Sequence, residues 1–161
     1  MKTRFLSRRN NGFTLIEVIV GLSVISLALV GLIAAYQLYI RAALKNTTTI
    51  KATHLAEEGL EALRLVRDSG YAATLGTLTA STTYYLRFST STSAWTATTT
   101  PETIDGIFAR SFVLYNVYRN VTDDIVASGT LDPDTKRAVV TVTAGTETRT
   151  LTTYLTNLFD N

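Results

Sequence analysis

The chain has 161 residues, with 15 Lys and Arg against 13 Asp and Glu, and a pI near 9.0. It contains no Cys, which excludes disulfide scaffolds, thiolate zinc sites and cysteine nucleophiles. A single His, His54, leaves multi-His metal sites and His-centred triads without material. The length suits one modest core, and the 29 Thr residues favour strands and exposed loops.

The basic excess is local. Met1 to Gly12 holds Lys2, Arg4, Arg8 and Arg9 and no acid. From Phe13 onward, eleven bases face thirteen acids, a side-chain charge of −2. The chain beyond residue 12 therefore carries no basic footprint, and nucleic acid is not expected as a partner.

Phe13 to Ile40 is a nearly unbroken apolar run, and Val18 to Tyr36 is nineteen residues without a charge. A bilayer core needs roughly 20 such residues in a helix. The run is too long for the apolar region of an ordinary secretory signal, and no A-x-A pattern follows it. A domain of this size could not bury such a helix on all sides, so 13–40 is expected to span a membrane. The basic stub should remain cytoplasmic and the remainder extracytoplasmic. Arg41, Lys45 and Lys51 beyond the far end reduce the charge bias to four against three. Glu17 is the exception inside the run. An intramembrane carboxylate usually has a partner or a task, and no base lies within a helical turn on its apolar side.

The stretch Gly12-Phe13-Thr14-Leu15-Ile16-Glu17-Val18, with the short basic leader and the apolar helix, resembles the N-terminus of type IV pilins and pseudopilins. The segment Ala56-Glu57-Glu58-Gly59-Leu60-Glu61-Ala62-Leu63-Arg64 is similar to helical segments of PilV-like minor pilins and type II secretion pseudopilins. The resemblance implies that 1–12 is a leader cut between Gly12 and Phe13 by a prepilin peptidase, with N-methylation of Phe13. It implies that Glu17 neutralises the Phe13 amine of a neighbouring subunit. The partners it implies are that peptidase, other pilin subunits, membrane lipid before assembly, and the pilus or secretion machinery. Family members often carry a Pro about ten residues into the mature helix. Here Gly21 and Gly31 are the only weak points in that stretch, each worth ~1 kcal/mol of helix propensity.

From Arg41 to Asp68 the helical pattern continues but becomes striped. Ala52, Leu55, Ala56, Gly59, Leu63 and Val66 share one face. Lys51, His54, Glu58, Glu61, Arg64 and Asp68 lie mostly off it, with Glu61–Arg64 and Arg64–Asp68 as helical pairs. Ser69-Gly70 supplies the stop, and Asn46-Thr47-Thr48-Thr49 is the poorest helical stretch.

Residues 70–105 read as a Ser/Thr-rich loop region, with Tyr84–Phe88 and Ala94–Thr96 as short strands within it. Residues 106–161 read as antiparallel sheet. Ile107 to Tyr118 alternates, with Val117 on the face of Ile107 and Phe112 on the other. Asp132-Pro133-Asp134-Thr135 reads as a turn, and Ala138–Thr143 and Thr148–Leu155 as a hairpin closed at Gly145. The expected fold is α+β and pilin-like: a leader (1–12), a membrane or filament-core helix half (13–40), an amphipathic half (41–69), and a small antiparallel sheet.

No phosphate-binding, zinc-protease or nucleophile-elbow motif is present. No catalytic residue, metal site or cofactor is expected. The expected function is a structural subunit, a minor pilin or pseudopilin. The alternative is an uncleaved signal-anchored protein with an extracytoplasmic ligand-binding domain.

Overall fold

The computed structural model describes residues 12–159. One helix, α1 (Leu15–Asp68), is followed by a seven-stranded antiparallel sheet. The strands are β1 (Thr83–Ser89), β2 (Ala94–Thr98), β3 (Thr103–Ile104), β4 (Phe108–Arg119), β5 (Ile125–Val126), β6 (Thr130–Ala144) and β7 (Glu147–Thr156). The principal order is β2-β1-β4-β6-β7, with β3 and β5 pairing on β4. This is the pilin-like α+β arrangement. The chain divides into two compact units at Leu44/Lys45, and each is described separately.

In the first unit, α1 carries its apolar side chains into the surroundings. Phe13, Leu15, Ile16, Val24, Leu27, Leu32 and Leu38 are all exposed, and no residue of the most apolar window is buried. The helix is long and apolar enough to cross a membrane. Its hydroxyls serve its own backbone: Ser23 Oγ donates to Ile19 O at 2.6 Å and Ser26 Oγ to Leu22 O at 2.8 Å. Such back-bonding lets a polar side chain sit in an apolar medium without an orphaned donor.

The second unit begins within the same helix, which runs through Asn46–Thr49 without a break. Here the stripe is buried: Ala52, Leu55, Ala56, Gly59, Ala62, Leu63 and Val66. It packs on Tyr84, Leu86, Phe108, Phe112, Leu114, Val140, Val142 and Leu155 of the sheet. The helix lies unusually close to the sheet at Gly59. A Cβ there would sit 2.9 Å from Val140 Cγ1 and 3.1 Å from Arg110 Cδ. Arg110 is only 5% exposed. Its guanidinium reaches across the layers, with Nη1 donating to Leu55 O at 3.2 Å and pairing with Glu58 at 3.1 Å. Its other face lies over the Trp95 ring, 5.0 Å from the centroid.

On β4, Phe108, Arg110, Phe112 and Leu114 form the buried face that its alternation expects, and Val117 is buried outside that core. The structure corrects the sequence-based expectation at two places. The register shifts between Asn116 and Val117, where the partner jumps from Lys136 to Asp132, and the extra residues lie in β6. Asp132–Thr135 therefore does not turn the chain. It is the extra length of that irregularity, inside β6, a position where Pro is tolerated in a sheet. On α1, Glu61 does pair with Arg64, but Asp68 takes Arg67 at 2.8 Å instead of Arg64. The β6–β7 hairpin closes as expected, with Ala144 opposite Glu147 and Gly145 at φ 59°. A positive φ at the first loop position suits a type II′ turn. The two short strands expected within 70–105 form β1 and β2.

Tyr71 closes the core beyond the helix. It is 3% exposed, and its hydroxyl donates to Pro133 O at 3.2 Å. Burial, reinforced by Asp134 and Asp132, pushes the phenol from 10.0 up to about 12.

Two predictions follow from this packing. An exposed helical Gly→Ala change gains ~1 kcal/mol; Gly59→Ala should instead lose about 1–3 kcal/mol, because the added methyl overpacks a fixed contact. Chemical denaturation of the two forms measures it, and a stabilised variant would refute the close approach. For Tyr71, the folded state keeps its proton where the unfolded chain has lost it. This contribution to stability therefore falls as pH rises from 10.0 to about 12. Tyr71→Phe should cost about 1 kcal/mol at neutral pH and flatten that alkaline decline. Parallel pH–stability curves for both forms would count against the assignment.

Candidate functional site

The start of α1 is built by three consecutive choices. Gly12, Phe13 and Thr14 have no regular structure, and the helix begins at Leu15. Gly12 has open space around it, and Phe13 is 89% exposed. The bond between them thus lies in an accessible, non-helical segment at the foot of the helix, the kind of backbone that proteolysis favours.

Thr14 is the N-cap. Its backbone N–H donates to Glu17 Oε2 at 2.8 Å, and its hydroxyl donates to the same oxygen at 2.8 Å. The Glu17 N–H returns a bond to Thr14 Oγ1 at 3.4 Å. This is a capping box, two donors at the helix start satisfied reciprocally. It answers part of the problem Glu17 poses in the sequence: the carboxylate has a partner in its own chain. Thr14 is the site residue that sequence reasoning missed. Its signal is the T-x-x-E spacing immediately before an apolar run. Glu17 also places negative charge at the positive end of the helix dipole. Its second oxygen, Oε1, has no partner among the described residues.

The structure brings Gly12, Phe13 and Glu17 together within one helical turn of the cap. Lys2, Arg4, Arg8 and Arg9 lie outside the described residues. His54 is exposed and pairs with Glu57 at 3.2 Å.

The acids of the sheet are committed to structure. Arg119 Nε donates to Asp132 Oδ2 at 2.6 Å. Burial pushes the Asp132 carboxyl up, but Arg119, Thr135 and the Asp134 N–H outweigh it and hold the group below its ordinary range. Asp124 is likewise held low by hydrogen bonds from Thr122 and Asn120. Among the described residues no group of three or more His, Asp or Glu is arranged to hold a metal.

Residues 7–33 match the family described as the prokaryotic N-terminal methylation motif. No curated protein and no solved structure matches the chain. The matched segment covers the Gly12–Phe13 bond, the capping box and most of the exposed apolar half of α1. The motif, together with one long apolar N-terminal helix and an antiparallel sheet, fits a membrane-anchored, prepilin-processed protein of the type IV pilin kind.

Proposed function

We propose that this chain is a structural subunit, a minor pilin or pseudopilin, of a type IV pilus or type II secretion-like filament. It is made as a precursor with a twelve-residue basic leader. It is held in the membrane by 13–40, with the leader cytoplasmic and the sheet domain extracytoplasmic. A prepilin peptidase cuts between Gly12 and Phe13, and the new Phe13 amine is methylated. The assembly machinery then draws the subunit into a filament, where apolar helices of neighbouring copies replace lipid.

The observation that carries this reading is the coincidence of the methylation motif with a helix whose apolar window has no buried residue. A helix that is apolar all round, with no protein to cover it, needs lipid or other helices. Glu17 supports the same reading. One carboxylate oxygen is held by its own N-cap, and the other has no partner among the described residues. A neighbour's terminal ammonium is a cation that would supply one. In the low dielectric of a helix bundle, their pairing would also penalise subunits that dock out of register.

Two tests address separate parts of the proposal. Co-expression with a prepilin peptidase, followed by intact-mass and N-terminal analysis, should give a mature chain beginning with methylated Phe13. A chain still beginning at Met1 would instead identify an uncleaved signal anchor. Glu17→Leu should leave membrane insertion intact yet reduce incorporation into filaments at least tenfold, scored on sheared filaments by immunoblot. Normal incorporation of that variant would remove the role assigned to the carboxylate.

A further inference from the structure

The face of the sheet turned away from α1 carries a feature that filament assembly does not use. Tyr115 of β4, Arg137 of β6 and Tyr154 of β7 are consecutive cross-strand partners. Their side chains therefore line up in a row on one face. The Arg137 guanidinium lies over the Tyr115 ring, 4.6 Å from its centroid. Arg137 is exposed, and no carboxylate pairs with it among the described residues. Arg87, Arg110 and Arg119 of the sheet, by contrast, each hold an acid.

This row borders a cavity of about 590 Å³, whose lining includes no Asp or Glu. The cavity exists because β4 lacks a neighbour along part of one edge. Pairing with β1 ends at Val113, and pairing with β5 begins at Tyr118. Between them Ser81 approaches, its N–H donating to Leu114 O at 2.7 Å. Asn116 lines the gap, and its side-chain oxygen accepts from Lys136 Nζ at 2.8 Å. Tyr154, 47% exposed, also lines the cavity.

We infer that this notch is a binding site for a carboxylate carried on a sugar ring, a hexuronate. A guanidinium stacked on an aromatic face keeps the N–H fork at its edge free, and that planar fork matches a carboxylate bidentately. The tyrosines supply flat apolar surface and hydroxyl donors, which suit a pyranose ring. The volume lies within the range of small-molecule sites. The positive charge comes from Arg137, in a lining that holds no Asp or Glu. The inference does not depend on the assembly role proposed for Glu17.

Full-length protein in detergent micelles would be titrated with glucuronate, glucose and acetate at matched ionic strength, using calorimetry and saturation-transfer NMR. Glucuronate should bind at least about tenfold more tightly than glucose or acetate, because only it satisfies both the fork and the rings. Arg137→Gln should abolish the difference between glucuronate and glucose while leaving the thermal melt unchanged, since the side chain is exposed. Tyr154→Ala should weaken glucuronate without affecting acetate. Equal binding of glucuronate and glucose by the unsubstituted protein, or full glucuronate binding by the Arg137→Gln form, overturns the site. Acetate binding as tightly as glucuronate overturns the assignment to a ring-borne carboxylate.

Discussion

The exposed apolar half of α1 is the constraint on which everything else turns. A surface of this extent is not stable in water, and nothing within its own unit covers it. The chain answers by satisfying polar groups internally. Ser23 and Ser26 bond back to helix carbonyls, and Thr14 and Glu17 close the helix start. What is left from Val18 to Val30 is an apolar surface, with a carboxylate just before it. Such a surface is indifferent to whether its neighbours are acyl chains or other apolar helices, because lipid tails are as apolar as Leu.

The same helix has a different solvent in its second half. There it is held to a sheet by shape as much as by burial. Gly59 removes a side chain where Val140 and Arg110 need the room, so the two layers meet more closely than ordinary side chains would permit. Arg110 then spans the interface with its guanidinium buried among Leu55 O, Glu58 and the Trp95 face. Its Nε has no hydrogen-bond partner. Only the arginine side of this ion pair is buried, Glu58 being half-exposed, so removing the acid would leave a buried guanidinium short of a partner, which is costly. The pair fixes where along the helix the sheet sits.

Most of this was legible in the sequence wherever a single period governs. The stripe from Ala52 to Val66 declared its buried face, with only Ala62 omitted, because a small residue beside larger apolar ones adds little contrast. The hairpin at Gly145 was visible because the turn requires a positive φ. Readings failed where one strand carries more residues than its partner. The register shift at Asn116/Val117 puts extra length into β6, and nothing in the local alternation announces it. Asp-Pro-Asp-Thr has the chemistry of a turn, yet cross-strand pairing on both sides absorbed it as an irregularity within β6. At the foot of the helix, Gly12, Phe13 and Glu17 were found by resemblance, while Thr14 needed only the spacing rule for a capping box.

The strand order has a kinetic consequence. β6 and β7 form a hairpin, as do β1 and β2, and only the two-residue β5 lies between β4 and its partner β6. Such local pairing shortens the search for the native topology. The ties between helix and sheet span far more chain: Leu55 and Arg110 are 55 positions apart. The entropic cost of closing a loop that long grows only slowly with its length. The meander can therefore form from residues 83 onward before α1 joins it. A chain with its first helix already committed elsewhere still has a template on which its second half can settle.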